Sequence, residues 1–497
     1  MSTKADRSPV RASLASVFAS ASCVLFAVCL LPPDDARADA ASPSVEAAIG
    51  LPGSGAPSGT TFDLDALGYE AAEYFLAGDA RAYQPASGTA FLPDGAWQIE
   101  PDGALQPYVT RIQVYRPKNP RRFNGSVFVE WLNVSNQADT MPDWIYAHVE
   151  LMRRGAVYVG VTAQAIGVNA AVALEPTRYG PGGAGLRHPG DSFSYDVFSQ
   201  AGQAVRDHRA LLPRGRRAER VIAMGESQSA SRMVTYIDAV HPLVRVYDGF
   251  LVHSRGATGS ALRQAPLDPI ATPGPTLIRG DALEPVFVFQ TETDTRATRQ
   301  PDSATFRQWE VAGTAHADMY TLGIGQPDTG RSAEAAQRLF DAMLDPVNEP
   351  LPGILPPCTL PVNAGPHHWV LVAAVRHLDQ WVRRGTPPPT GGAGIVEPLQ
   401  LDADGNVVGG IRTPHVDVPV ATLRGTGNSA PGPLNFCFLF GTTTPLAPER
   451  LDALYPSHGR FVLEWALSLF EAAFRGYVLL EDVPRLLRPV VTSTIGR

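Results

Sequence analysis

Short, uninterrupted apolar runs alternate along the chain with stretches whose apolar positions recur every three or four residues. SVFVEWLN (126–133) and AVYVGVTAQ (156–164) are brief and β-branched, as strands buried on both faces are. Between them, PDWIYAHVELMRRG (142–155) has helical spacing and stops at Gly155. YDVFSQAGQAVRDHRALL (195–212) predicts a second helix, RVIAMG (220–225) a strand and SASRMVTYIDAV (229–240) a third helix. VYDGFLVHS (246–254), VFVFQTETD (286–294) and RQWEVAGTAH (307–316) predict later strands. VTRIQVYRP (109–117) alternates and predicts a half-exposed strand. Strands alternating with helices predict an α/β fold: a mostly parallel, doubly wound sheet covered on both faces. In such sheets ligands sit beyond the carboxyl ends of the strands, so the informative residues should fall there.

The flanking segments predict an organisation around that core. Lys4, Arg7 and Arg11 precede an apolar run that gives way to PPDDARADA, ending in Ala38-Asp39-Ala40. A charged start, an apolar stretch and a small-residue cleavage site predict a signal peptide over 1–40 and an exported protein, periplasmic or extracellular, with no stable membrane anchor after cleavage. Residues 41–316 form the expected core. Residues 317–365, rich in Pro and Gly around SAEAAQRLFDAML, read as an insertion or lid. HWVLVAAVRHLDQWVRRG (368–385) returns a core helix within 366–390, and 391–497 reads as a C-terminal extension packed on the core. Cys23 and Cys29 would leave with the signal. Cys358 and Cys437 would remain, and an even pair in an oxidising compartment predicts a disulfide, with two buried thiols as the alternative.

Composition narrows the chemistry. Hydrophobic residues make up 44% and charged residues 18%, enough for a large core, and the net charge of −8 with no basic stripe argues against a nucleic-acid partner. Lysine occurs only at Lys4 and Lys118, the latter in the polar turn RPKNPRRF, which excludes most lysine-based catalysis. HExxH and CxxC are absent, so no metal or other cofactor is expected. GPGGAG (180–185) lacks a dinucleotide-binding frame and reads as a loop. DADGN (402–406) lacks the remaining calcium ligands and reads as a hairpin turn.

The stretch VIAMGESQSASRM (221–233) carries the strongest chemical signal. Ser227 falls between a predicted strand and a predicted helix, in GESQS. A nucleophile in such a tight turn needs small residues two before and two after, because strand and helix pack there; Gly225 and Ser229 are both small. The plain alternative is a helix-capping serine. A serine nucleophile needs a histidine base, and the histidine an orienting carboxylate. Asp294 and His316 follow Ser227 in that order, each at the carboxyl end of a predicted strand. Glu292 is the alternative acid. His253 would line the site, and the His367–His368 pair reads as structural or as backing the site. The N–H of Gln228 is placed to bind an oxyanion at the helix start, with a second donor from the backbone of Asn133 or Val134. Glu226 would tune His316, bind a polar substrate, or do neither.

At these positions the chain resembles the α/β-hydrolase superfamily and, more narrowly, the exported bacterial family of α/β-hydrolase domain proteins. VEWLNVS, VGVTAQAIGV, YDVFSQAGQAVR, MGESQSASRM, FLVHSRG, QTETD, GTAHAD and DADGNVVGGIRTP carry the resemblance, over about residues 60 to 490. It implies an α/β-hydrolase fold with a Ser-His-Asp triad, carried onto Ser227, His316 and Asp294. Ser229 departs from the usual final glycine of the serine motif. The function expected is a serine hydrolase that cleaves small or polymeric carboxylic esters through an acyl-enzyme. A non-catalytic binding protein on the same scaffold and an amidase with the same triad are the alternatives.

Overall fold

The computed structural model describes residues 40–48, 59–295, 298–349, 351, 357–432 and 435–497, so the expected signal peptide, apart from Ala40, lies outside the described residues. Among the described residues, nine strands build the main sheet: β1 (Ser44–Ala47), β2 (Tyr69–Pro85), β3 (Ile99–Pro117), β4 (Ser126–Trp131), β5 (Val157–Val161), β6 (Arg220–Glu226), β7 (Gly249–His253), β8 (Val286–Thr291) and β9 (Phe306–Val311). They lie in the order β1-β2-β3-β5-β4-β6-β7-β8-β9. The first three pair antiparallel, β3 pairs antiparallel with β5, and from β5 to β9 every pairing is parallel. The winding reverses at β4, which has β5 on one side and β6 on the other. The crevice at this reversal is where such sheets bind ligands.

The continuous apolar runs split between two cores by strand alternation. From β4 and β6, Phe128, Ile222 and Met224 join Trp144 and Leu151 of helix Pro142–Arg154 and Leu371 and Val375 of helix His367–Arg384. Val127, Val129, Val221 and Ala223 point the other way, toward Val197, Phe198 and Ala201 of helix Ser194–Asp207. A strand buried on both faces has no polar side to display. Helix Pro142–Arg154 begins with proline and has no side-chain cap from its own first residue. Instead the buried Glu130 carboxylate of β4 accepts from the N–H groups of Asp143 (3.1 Å) and Trp144 (3.0 Å). It therefore satisfies two of the helix's unpaired donors. Gly155 ends the helix at φ 72°, where a Cβ would collide with the Arg122 carbonyl.

The sheet extends beyond the strands that the apolar pattern predicts. β2 pairs with β3 from Tyr69↔Pro117 to Pro85↔Ile99. The alternating stretch 109–117 is not half-exposed: Val109 to Tyr115 are buried. Its polar positions find buried partners instead. Arg111 donates to Asp139 (3.1 Å) and lies over the Tyr179 ring, and the Thr110 hydroxyl donates to the Thr162 carbonyl (2.5 Å).

The 317–365 segment and the C-terminal extension share one core with the sheet. Phe340 of helix Glu334–Leu344 and Phe461 and Trp465 of helix His458–Phe474 join the cluster that holds Trp369 and Val311. Ile411 bonds to the backbone of Glu310 and Ala312 at the end of β9, and a small sheet of β10 (Ala421–Arg424) and β11 (Thr442–Pro445) lies within the extension. DADGN forms a turn in which Asp402 accepts from the N–H groups of Asp404 and Asn406, both at 3.0 Å. No helix among the described residues is long and apolar enough to cross a membrane.

Candidate active site

Ser227 sits directly after β6 and caps helix Gln228–Thr235 with φ 60°, ψ −117°. Few non-glycine residues hold such a backbone, and where they do the surroundings must enforce it. The enforcement is visible. The Ser227 N–H donates to the His253 carbonyl (2.9 Å), and its own carbonyl accepts from Ser231 (3.1 Å). A Cβ on Gly225 would lie 3.0 Å from the Ser229 backbone, so the packing behind the turn demands the small residues found there. Ser227 is half-buried, whereas Ser229 is fully buried.

The structure brings Asp294 and His316 together from the ends of β8 and β9. His316 Nδ1 bonds Asp294 Oδ1 at 2.8 Å, and the other Asp294 oxygen accepts from the Thr291 hydroxyl (2.7 Å). The His316 N–H donates to Thr293 Oγ1 (3.0 Å), which anchors the loop. Burial alone would raise the Asp294 carboxyl. The charge and hydrogen bond of His316, with the Thr291 and Ser254 hydroxyls, hold it below its ordinary value.

Glu226 supplies what the serine motif did not foretell. Its Oε1 lies 3.1 Å from His316 Nε2, and its Oε2 accepts from the Asn133 side chain (3.2 Å). The imidazole is therefore flanked by two carboxylates, one on each nitrogen. Burial opposes its charge, yet Asp294 and Glu226 together raise it well above the ordinary histidine value. No hydrogen bond joins Ser227 Oγ to His316 among the described residues; Glu226 holds the nitrogen that a serine base would use.

Three expectations change here. No hydrogen bond or ion pair joins Glu292 to His316 among the described residues. Its carboxylate accepts from the backbone N–H of Gly313 (2.5 Å) and of Gly425 (2.7 Å), binding the histidine loop to the C-terminal extension. Burial raises its pKa to about 7 despite these donors. The Asn133 N–H is committed to the Thr140 carbonyl (3.0 Å). Of the two candidate donors, Val134 is the one whose N–H has no protein acceptor among the described residues, alongside Gln228 N–H at the helix start. His253 does not line the site. It is fully buried behind it, bonded to Asp143 (2.8 Å) and His367 (2.7 Å). Nothing in the local sequence signals this array, because its members lie more than a hundred residues apart. Cys358 and Cys437 are joined in a disulfide, with Cα atoms 5.6 Å apart. No group of three or more metal-ligating side chains occurs among the described residues.

The family described as "Alpha/beta hydrolase domain" matches residues 38–488. No curated protein matches the chain. Among solved structures it is similar to acetyl xylan esterase 1 from Thermoanaerobacterium sp. (10% identity, TM-score 0.23), covering 43% of this chain and 53%, about half, of that one. It is similar to a serine hydrolase without a lid from Xanthomonas campestris (13%, TM-score 0.24; 47% of this chain, 84% of that one). It is also similar to a glucuronoyl esterase from Solibacter usitatus (10%, TM-score 0.26; 53% of this chain, 70% of that one).

Proposed function

The chain belongs to the alpha/beta hydrolase domain family, and on that premise we propose that it hydrolyses carboxylic esters with Ser227 as nucleophile. The observation that carries this reading is the enforced φ 60° turn at Ser227, at the same edge of the sheet as the 2.8 Å Asp294–His316 hydrogen bond. Ser227 Oγ attacks the ester carbonyl while His316 Nε2 takes its proton. Nε2 then protonates the departing alcohol, and a water activated by the same nitrogen releases the acid from the acyl-enzyme. Asp294 orients the ring and stabilises its charge. The N–H groups of Gln228 and Val134 bind the oxyanion. In the resting arrangement Nε2 faces Glu226, so productive binding begins with the exchange of Glu226 for Ser227 as its partner.

The test is turnover of p-nitrophenyl acetate, butyrate and decanoate by the mature protein and by Ser227→Ala. The variant should lose at least about 10³-fold in kcat with its thermal midpoint unchanged. Equal turnover in both proteins sinks the assignment. The reading includes export, supported by the charged, apolar and small-residue order of the N-terminus and by the disulfide. N-terminal sequencing of protein recovered outside the cytoplasm should begin at about residue 41; an intact Met1 would refute it.

A further inference from the structure

Behind the site runs a chain of side chains that the proposed reaction does not use. Asp143 Oδ1 meets His253 Nδ1 at 2.8 Å, His253 Nε2 meets His367 Nε2 at 2.7 Å, and His367 Nδ1 meets the Ala315 carbonyl at 3.0 Å. All three side chains are fully buried. The final acceptor settles the proton count. A carbonyl oxygen only accepts, so His367 Nδ1 carries a proton. Two facing ring nitrogens bond only if one of them is protonated, and the Asp143–His253 contact also needs one proton. Three bonds therefore share three protons, and the array is neutral overall.

Those protons permit three arrangements: everything neutral with Asp143 protonated, an ionised Asp143 beside a charged His253, or an ionised Asp143 with the charge on His367. The surroundings choose among them. The second oxygen of Asp143 has no hydrogen-bond partner among the described residues, so ionisation would strand negative charge on a buried, unpaired atom. His367 lies between the rings of Tyr146 (4.1 Å) and Phe289 (5.3 Å), and neither compensates a positive charge as a carboxylate would. The titratable groups around the array are Glu130, which accepts from the Asp143 N–H, and Glu226, Asp294, His316, Tyr146 and His368. Burial and then Glu226 push the Asp143 carboxyl well above its ordinary range, and burial lowers His253 to about 4.

We propose that Asp143 is a protonated carboxylic acid which, through neutral His253 and His367, positions the nucleophile turn against the histidine loop. The connectivity gives the array that role. The His253 carbonyl holds the Ser227 N–H (2.9 Å), Asp143 lies in the first turn of the helix that follows the Val134 loop, and Ala315 precedes His316. One array thus ties together the backbones carrying nucleophile, oxyanion donor and base. These are positioning residues and touch no reacting atom. The role rests on the esterase reading above; the proton count does not.

An asparagine offers His253 Nδ1 an N–H where the protonated acid offers an O–H, so Asp143→Asn should preserve the array and Asp143→Ala should break it. The expected result is a loss of about 10- to 100-fold in kcat for Asp143→Ala, with KM within about 3-fold, and rescue of most of that loss in Asp143→Asn with an unchanged pH profile. Asp143→Asn as damaging as Asp143→Ala overturns the proposal. The infrared difference spectrum of wild type minus Asp143→Asn near neutral pH should contain a protonated-carboxyl band; carboxylate bands in its place overturn the proposal even if Asp143→Ala does not fold. If neither turnover nor fluorophosphonate labelling of Ser227 is found, the esterase reading has failed and the positioning role fails with it, while the infrared band still decides the proton.

Discussion

Replacing Glu226 with glutamine should move the pH at which the enzyme switches on. The substitution keeps the side chain's shape and an oxygen for His316 Nε2 but removes one of the two charges flanking the ring. The side chains of His316 and Glu226 are only 9% and 8% exposed, so solvent does little to screen the pair. Opposite charges about 4 Å apart interact by about 4 kcal/mol at an effective dielectric constant of about 20, which is about 3 pKa units. Water admitted with substrate and relaxation of Asn133 reduce this, and a shift of about 1 to 3 units is expected. The sign follows from the base. His316 accepts a proton only when neutral, and its pKa is raised, so wild-type kcat/KM should climb in the alkaline range. In Glu226→Gln that limb should fall toward the ordinary imidazole range, and the variant should be faster than wild type near neutral pH. Stability should move in step. The stabilisation from charged His316 is fully present below about pH 6.5, its unfolded value, and is lost as pH rises through the folded value. Urea midpoints of wild type should therefore fall on the alkaline side more than those of the variant. Profiles of p-nitrophenyl acetate turnover from about pH 5 to about pH 10 decide the matter. An acid limb that stays put in Glu226→Gln refutes the claim that Glu226 charges His316.

The two acidic candidates after β8 should separate by the kind of damage each substitution does. Asp294→Asn should lower kcat by about 10²- to 10⁴-fold and leave the fold intact, because the ring loses its orienting carboxylate. Glu292→Ala should instead destabilise by about 2–4 kcal/mol in urea, since it strands the Gly313 and Gly425 N–H groups, and kcat per folded molecule should hold within a few-fold. The opposite pattern would transfer the acid's role to Glu292.

Much of this molecule is written locally in the chain. Continuous β-branched runs such as SVFVEWLN specify strands with two buried faces, helical spacing in PDWIYAHVELMRRG specifies the crossover, and their alternation specifies a parallel sheet. Since such sheets expose function at their carboxyl ends, Ser227, Asp294 and His316 could be singled out by position, and small residues at 225 and 229 by the packing of a tight turn. β2 was not legible. Its sequence YEAAEYFLAGDARAYQP mixes Ala, Gly and charge, and it is a strand because β3 pairs with it along its length and Asp196 accepts from both the Arg81 N–H and the Tyr83 hydroxyl.

The choice of partner is made in three dimensions. Glu292 and Asp294 stand two residues apart, but one turns to backbone amides of the extension and the other to His316. Asn133 spends its N–H on Thr140, whereas that of Val134 has no protein acceptor among the described residues. Glu226, for which the sequence left tuning of His316, substrate binding or neither open, takes the histidine nitrogen that the serine would need. Asp143, His253 and His367 meet from three distant segments. Periodicity is a property of neighbouring residues and survives in the sequence. Hydrogen-bond partners and charge neighbours are set by angstrom-scale packing between segments that local periodicity does not relate, some of them more than a hundred residues apart, and come into being only when the chain folds.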